Sequence, residues 1–171
     1  LEDTGQIENT IVIHTSDHGD MNGEHGMWRK SNFYEASSRV PLQIRWPGAI
    51  PEGRRIPQVV SLVDVIATLA DITEAPDVVD LDGDSLMPLM KDSGTWKDEA
   101  FCEYLAHGII GPMAMLRQGR YKFNYNHGDT PELYDLEDDP NEFNNLVGDA
   151  RFQSTVDTMQ TDLLAHWDPV A

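Results

Sequence analysis

The hydrophobic pattern of the N-terminal half predicts two strands. Residues 6–14 include the apolar run at residues 11–13, which gives way to polar residues and glycine. A continuous apolar run with such boundaries is typical of a strand buried on both faces of a sheet. A second run, residues 40–46, stops at the turn pair Pro47-Gly48. Pro41 within it indicates an edge position or the start of a strand, because proline cannot donate to a strand ladder.

A helix is predicted to begin at Ser61. The serine side chain can cap the first turn, and Asp64, three residues on, completes a capping-box pattern. The apolar positions that follow share one face at helical spacing and predict a stripe packed in the core, formed by Leu62, Val65, Ile66, Leu69 and Ile72.

The C-terminal half predicts a small antiparallel sheet. Strands are expected over residues 101–105, 113–117, 120–125 and 132–136, with a hairpin at Gln118-Gly119. Alternation places Tyr121, Phe123 and Tyr125 on one face. A terminal helix that covers one face of this sheet is predicted by four apolar residues at helical spacing: Phe152, Val156, Met159 and Leu163. The pattern is therefore α/β at the front and antiparallel α+β behind, with a break near residues 74–99.

Charge and composition narrow the possible partners. The net charge of -18, with only 12 Lys and Arg, argues against nucleic acid because a phosphate-binding surface needs a basic patch. Such acidity favours solubility and would also attract a cationic substrate. The run at residues 129–142 holds seven acids and no base, which predicts a solvated turn region whose acids can bind a cation.

Targeting signals are not evident in the sequence. No apolar stretch is long enough for a bilayer, and the first residues do not resemble a signal peptide, so we expect no membrane partner. The compartment is left open between the cytoplasm and the periplasm. Cys102, the single cysteine, cannot form an internal disulfide. The absence of an initiator methionine suggests a chain cut from something longer.

Candidate chemistry lies just after the first strand. Asp17 and His18 stand where ligands bind in open α/β sheets, beyond the carboxyl end of a strand. They offer oxygen and nitrogen donors for a metal, although calcium requires six to eight ligands and the pair alone is incomplete. Gly19 lets the chain turn closely there. Asp17 as a simple turn cap, His18 as a surface residue and Lys30 as a solvated lysine remain alternatives.

Several motifs in order resemble the type I sulfatases, the formylglycine-dependent enzymes of the alkaline-phosphatase-like superfamily. Residues 15–35 begin Thr-Ser-Asp-His-Gly and contain Met-Trp-Arg-Lys-Ser, and Arg39-Val-Pro-Leu follows. Together they resemble the family's C-terminal metal-and-lysine motif. Residues 60–69 resemble the helix after it, and residues 117–122 and 132–146 resemble its C-terminal sheet signature. Within the family, residues 103–116 are most similar to choline sulfatases.

The resemblance implies the C-terminal part of the sulfatase fold. Residues 1–75 would belong to the α/β catalytic domain, residues 76–99 would be a linker, and residues 100–171 would form a small antiparallel subdomain. Asp17 and His18 would be two ligands of a divalent metal, usually calcium. Lys30 would bind the sulfate oxygens or stabilise the departing ester oxygen.

The family's nucleophile has no counterpart in this chain. It is a formylglycine made from a cysteine or serine in a Cys-x-Pro-Ser-Arg or Cys-x-Ala-x-Arg context, whereas Cys102 lies in Phe-Cys-Glu-Tyr. We therefore expect the nucleophile in an N-terminal remainder of the enzyme, and no activity from this chain alone. A front sheet without its partner strands exposes edges, so association with that remainder or a homo-oligomer is expected.

The implied substrate is a small-molecule sulfate ester. For choline, Glu103 and Tyr104 are possible contributors to an ammonium pocket, although a strand Glu and Tyr are more often paired across a sheet. His107 stands where choline sulfatase-like sequences tend to carry a second acid, which weakens that assignment. His25 is a further residue near the motif. Alternatives are a phosphonate monoester or phosphodiester hydrolase of the same superfamily, or a non-enzymatic metal-binding domain.

Overall fold

The computed structural model describes residues 1–75, 78, 80–106 and 108–170. Its contacts divide the chain into two compact units that are discontinuous in sequence. Unit 1 comprises Leu1–Asp17 and Val40–Lys97, and unit 2 comprises His18–Arg39 and Asp98–Ala171. The division into contiguous domains at residues 1–75 and 100–171 remains a prediction. The contacts group residues 18–39 with the C-terminal unit. The linker predicted at residues 76–99 includes positions 76, 77 and 79, which lie outside the described residues.

The chain is a mixed α/β structure with antiparallel sheets and a C-terminal helix. Its strands are β1 Val12–Thr15, β2 Met21–Asn22, β3 Trp28–Arg29, β4 Leu42–Arg45, β5 Glu99–Tyr104, β6 Met113–Gln118, β7 Tyr121–Asn126 and β8 Glu132–Asp135. Its α-helices are α1 Glu35–Ser38, α2 Leu62–Thr73, α3 Met87–Lys91 and α4 Gln153–His166. None of the helices in the described part of the chain combines the length and the hydropathy needed to cross a membrane.

The first predicted strand is shorter and more exposed than its pattern suggested. A 3₁₀ turn occupies Ile7–Asn9, and β1 begins at Val12, whose side chain is 37% exposed. Within the described residues β1 pairs only with β4, antiparallel, with Ile13 opposite Ile44. The prediction of a strand buried on both faces is therefore wrong for this chain, because a two-stranded ribbon leaves much of its surface open. β4 begins directly after Pro41, as predicted.

Helix α2 begins with the predicted capping box. The carboxylate of Asp64 accepts a hydrogen bond from the Ser61 backbone N–H at 2.7 Å, and the Ser61 side chain accepts one in return. The predicted apolar core stripe is wrong in part, because Ile66 and Leu69 are exposed while Asp64, Ala67 and Thr68 form the buried face of the helix.

Polar contacts determine which face of α2 is buried. Asp64 accepts hydrogen bonds from the Asp84 backbone N–H at 2.9 Å and from Lys97 Nζ at 3.2 Å. Thr68 Oγ1 accepts one from the Leu86 backbone N–H at 2.8 Å. These bonds hold the chain that leads into α3 against the helix. The core of unit 1 forms there, where a cluster of Leu86, Leu89 and Met90 packs against partly buried residues including Leu42, Ile44, Val65 and Trp96.

Unit 2 contains a four-stranded antiparallel sheet in the order β5-β6-β7-β8. The predicted hairpin is confirmed, since β6 and β7 pair with Gln118 opposite Tyr121 and Gly119 adopts a positive φ of 50° in the turn. The terminal helix is confirmed as well. Its residues Val156, Met159 and Leu163 form one buried core with sheet residues such as Ala114, Leu116, Phe123 and Leu133. Tyr121 and Tyr125 pack against the same cluster, as the alternation predicted.

Candidate functional site

Residues 18–39 belong to unit 2, and Gly19 holds their beginning in place. The Gly19 N–H donates to the Ser37 carbonyl oxygen at 2.8 Å. A Cβ at this position would lie 2.1 Å from the Ala36 carbonyl oxygen, so every side chain is excluded. The sequence predicts that Gly19 lets the chain turn closely, and the close approach that it permits is to the backbone of α1.

His18 and Lys30 are brought together in unit 2. His18 Nδ1 lies 2.6 Å from the Gly19 carbonyl oxygen, which can only accept, so Nδ1 carries the hydrogen. An ammonium can only donate, so the Nε2 atom that faces Lys30 accepts through its lone pair. The Lys30 ammonium donates to that atom, with Nζ 2.6 Å from Nε2. The backbone of the neighbouring glycine therefore fixes the tautomer in which the ring can act as a ligand.

The backbone around Lys30 is unusual. Arg29 and Ser31 both have left-handed backbones, with φ values of 72° and 79°. This conformation costs a residue with a side chain roughly 1–2 kcal/mol, and such residues persist only where surrounding contacts hold them. One such contact is a hydrogen bond of 2.9 Å from the Tyr104 hydroxyl to Ser31 Oγ. Lys30 itself is exposed.

Asp17 belongs to unit 1, where the residue is exposed and Ser16 Oγ lies 3.4 Å from its Oδ1. The boundary between the two units falls between Asp17 and His18. Among the residues that the structure describes, no three or more His, Cys, Asp or Glu side chains form a group that could hold a metal ion. Coordination of an ion by Asp17 and His18 consequently remains a proposal.

The residues suggested for a choline pocket lie on opposite faces of β5. Tyr104 contacts Ser31, beside Lys30. Glu103 is the preceding residue and therefore points to the other face, where its partner across the ladder is Ala114 in the core under α4. The structure thus brings Tyr104, and not Glu103, to the Lys30 segment. Cys102 is exposed on β5, and His107 lies outside the described residues.

His25 ties its loop to the C-terminal part of unit 2. Its ring stacks on Tyr34 with centroids 3.9 Å apart and lies 5.2 Å from the ring of Phe143. Its Nε2 atom is 2.9 Å from the Asn141 carbonyl oxygen. Burial raises the pKa of the Tyr34 hydroxyl, and the negative charge of Glu132 adds to the increase.

A buried ion cluster gave no signal in the sequence. Lys122, on β7, is 1% exposed, and its Nζ lies 2.6 Å from Glu35 Oε1 and 2.8 Å from Glu142 Oε1. A lysine within a strand is ordinarily solvated, so neither composition nor spacing points to it. The prediction of a solvated acidic run at residues 129–142 is wrong at Glu142 and at Asp135, which are 3% and 5% exposed. Each is buried because a basic side chain, Lys122 or Arg120, pairs with it.

Comparison with known proteins identifies the family of this chain. The family model described as "N-sulphoglucosamine sulphohydrolase, C-terminal" matches residues 23–168. The chain belongs to this sulfatase family. Its resemblance to the type I sulfatases, predicted from motifs, is thereby confirmed.

Relatives of this sulfatase-family chain are found among curated sulfatases and among solved structures. It is 38% identical to the choline-sulfatase of Rhizobium meliloti over 98% of this chain and 33% of that protein. It matches a structure in complex with its substrate D-glucosamine-2-N,6-O-disulfate, with 31% identity, a TM-score of 0.82, and coverage of 97% of this chain and 35% of that one. It also matches the phosphonate monoester hydrolase of Agrobacterium radiobacter, with 32% identity, a TM-score of 0.83, and coverage of 96% and 36%.

These matches confirm the predicted fold class, since the sulfatase-family chain corresponds to the C-terminal portion of larger folds. It spans about a third of the length of the relatives that it matches.

Proposed function

We propose that this chain provides the C-terminal part of a sulfatase that hydrolyses small-molecule sulfate esters, with Lys30 in contact with the reacting sulfate group. The observation that carries the proposal is the contact of 2.6 Å between Lys30 Nζ and His18 Nε2. It joins the two residues of unit 2 that the sulfatase motif assigns to anion and metal binding. The membership of the sulfatase family supports the same reaction class.

The donor chemistry of Asp17 and His18 fits a divalent cation. The Gly19 carbonyl oxygen holds the hydrogen on His18 Nδ1, so Nε2 is in the state that a metal ligand requires. Asp17 supplies a carboxylate on the neighbouring residue, and carboxylates are the usual calcium ligands. Calcium is our specific proposal. When bound, it would polarise and neutralise the sulfuryl oxygens, and its other ligands would come from substrate or from residues outside this chain.

The Lys30 ammonium would supply positive charge where the sulfate ester reacts. One lone pair on His18 Nε2 cannot serve an ammonium and a cation at once. With a divalent cation held by His18 Nε2, the Lys30 N–H that now donates to that atom would be available to an anionic oxygen. Lysine acts as a point charge of this kind in many phosphate and sulfate sites. A formylglycine nucleophile would be provided from outside this chain, and the isolated chain would be inactive.

Choline sulfate is a specific candidate substrate because a choline-sulfatase is 38% identical to this chain. A pocket for its quaternary ammonium cannot combine Glu103 and Tyr104 on one face of β5, since the two residues alternate. The side chain on the Lys30 side is Tyr104, whose ring could receive a cation. Glu103 remains a candidate for substrate binding on the opposite face of β5.

Phosphonate monoester hydrolysis is a second candidate function. A phosphonate monoester hydrolase matches 96% of this chain with a TM-score of 0.83, compared with 97% and 0.82 for the sulfated-sugar complex. Sulfate and phosphonate monoesters share a tetrahedral anionic centre, and an ammonium beside a cation suits both. The geometry of His18 and Lys30 is therefore compatible with both substrate classes.

Turnover by the full-length protein that contains this chain discriminates between them. We expect p-nitrophenyl sulfate and choline sulfate to be hydrolysed with higher kcat/KM than p-nitrophenyl phenylphosphonate. The reverse preference would assign the phosphonate function. Calorimetric titration with calcium supplies a readout besides activity, and Asp17→Asn should weaken calcium binding while Asp3→Asn should not. Absence of both turnover and calcium binding would leave a non-enzymatic domain and refute the proposal.

A further inference from the structure

The sheet of unit 2 has a polar face opposite α4. On β7, Phe123 lies in the core under α4, so its neighbours Lys122 and Asn124 point to the other face. On β5, Phe101 packs against the same core, which places Tyr104 on the polar face. A sheet face with a buried lysine and asparagine is stable only if those groups find partners.

Asn124 Nδ2 donates to Glu132 Oε2 on β8 at 3.0 Å, whereas two partners of Lys122 come from the segment that carries Lys30. Lys122 Nζ donates to the Phe33 carbonyl oxygen at 2.8 Å and pairs with Glu35. The Tyr34 hydroxyl lies 3.3 Å from Glu132 Oε1, on the neighbouring strand β8. Residues 33–35 are thus bound to two strands of the sheet, directly after the bend at Lys30.

Glu142 completes this attachment from a third direction. Its Oε1 lies 2.8 Å from Lys122 Nζ, and its Oε2 accepts a hydrogen bond of 2.6 Å from the Glu35 backbone N–H. Glu142 itself has a left-handed backbone, with φ of 59°. Because the Lys122 and Glu142 side chains are 1% and 2% exposed, water does not compete for these bonds.

Tyr104 contacts the residue that follows Lys30. Its hydroxyl hydrogen bond to Ser31 Oγ lies one residue from Lys30, where the backbone of Ser31 is left-handed. A conformation of this kind needs external support, and this bond is a contact of that sort on the C-terminal side of Lys30. The Lys30 side chain is long and exposed, so the position of its ammonium depends on the conformation of the backbone that carries it.

We propose that Tyr104 is a positioning residue for Lys30, acting through Ser31 on a platform that Lys122 and Glu142 anchor at residues 33–35. The proposal deepens the proposed function, because it names the residues that hold the charged group of that site. Tyr104 donates a hydrogen bond in this role and takes no part in proton transfer.

The experiment compares Tyr104→Phe with Tyr125→Phe in the full-length protein. Tyr125 lies on the opposite face of the same sheet, against the α4 core, so it is a matched control. Hydrogen exchange followed by mass spectrometry should show about fivefold faster exchange in peptides from residues 27–36 of Tyr104→Phe, since one hydrogen bond is lost. Peptides from α4 should be unchanged, and Tyr125→Phe should leave residues 27–36 unchanged.

Kinetics provide the second readout. Tyr104→Phe should lower kcat for the sulfate ester about tenfold with little change in KM, because a displaced charge weakens the transition state most. In a Lys30→Gln background the same change should have no further effect on kcat. If the losses of kcat caused by Tyr104→Phe and by Lys30→Gln multiply in the double variant, the positioning role is overturned. If no ester is turned over at all, the proposed function fails. If residues 27–36 exchange at the same rate in Tyr104→Phe and in the parent protein, the positioning role alone is overturned.

Discussion

The Nζ atom of Lys30 lies 2.6 Å from the Nε2 atom of His18, and the hydrogen bond between them runs from the ammonium to the imidazole. The two residues are twelve positions apart in sequence. The distance is short because β2 and β3 pair with each other between them, with Asn22 opposite Trp28, and so return the chain toward its start.

Replacement of Lys30 should abolish most activity of the full-length enzyme without unfolding it. Lys30→Gln removes a positive charge from an exposed side chain, so stability should change little. If Lys30 stabilises charge in the transition state, kcat/KM for a sulfate ester should fall about 100- to 1000-fold. Lys91→Gln, at the exposed end of α3, is the control and should retain full activity. A loss of less than threefold in Lys30→Gln would exclude the proposed contact with sulfate.

Substitution of Gly19 should destabilise the protein. In Gly19→Ala the new Cβ would lie 2.1 Å from one carbonyl oxygen and 3.3 Å from the next, both in the backbone of α1. Backbone atoms cannot rotate away, so we expect a loss of about 1–3 kcal/mol in the free energy of unfolding, measured with urea. Gly148→Ala has no atoms within 4 Å of its Cβ and should stay within about 0.5 kcal/mol of the parent protein. Equal stability of the two variants would contradict the close approach.

Removal of the buried ammonium should be more costly. Lys122→Met leaves Glu35 and Glu142 facing each other without their shared cation. Breaking a buried ion pair on one side typically costs about 3–5 kcal/mol. Urea unfolding should show that loss, whereas the double variant Lys122→Met/Glu142→Leu should recover part of it, because the unpaired charge is removed as well. Lys91→Met serves as the surface control. A double variant less stable than Lys122→Met would argue against an uncompensated charge as the cause.

Local patterns were sufficient to predict part of this structure. The capping box at Ser61 and the hairpin at Gly119 depend on residues close in sequence, and both are present. The buried face of α2 could not be predicted in this way, because Asp64 is buried by partners at positions 84 and 97 that no helical periodicity reveals. An exposed Ile66 likewise contradicts the local pattern.

The candidate site was likewise predicted only in part from the sequence. His18 and Lys30 were found through a motif, and the structure brings them into contact. The sequence suggests Tyr104 for a substrate pocket or for pairing across the sheet, whereas its hydroxyl donates a hydrogen bond to Ser31 Oγ. This contact joins two residues that are 73 positions apart in sequence. No local pattern in a single sequence predicts a contact at that separation.

The contribution of Asp135 to the stability of the protein should depend on pH. Burial alone would raise the pKa of this carboxyl group, but the hydrogen bonds from the Arg120 guanidinium outweigh burial and hold the pKa below its usual value. A carboxylate whose pKa is lowered in the folded state stabilises the protein at pH values above its pKa in the unfolded state, about 3.9. That stabilisation is lost as the pH falls through the pKa of the folded state. Asp135→Asn should therefore be less stable than the parent protein at pH 7, and the difference should shrink progressively below about pH 4. Urea unfolding of both proteins from pH 7 to pH 2 measures this, with Asp3→Asn, an exposed carboxylate, as the control. A difference that stays constant over that range would show that Asp135 acts through packing, with no contribution from its charge.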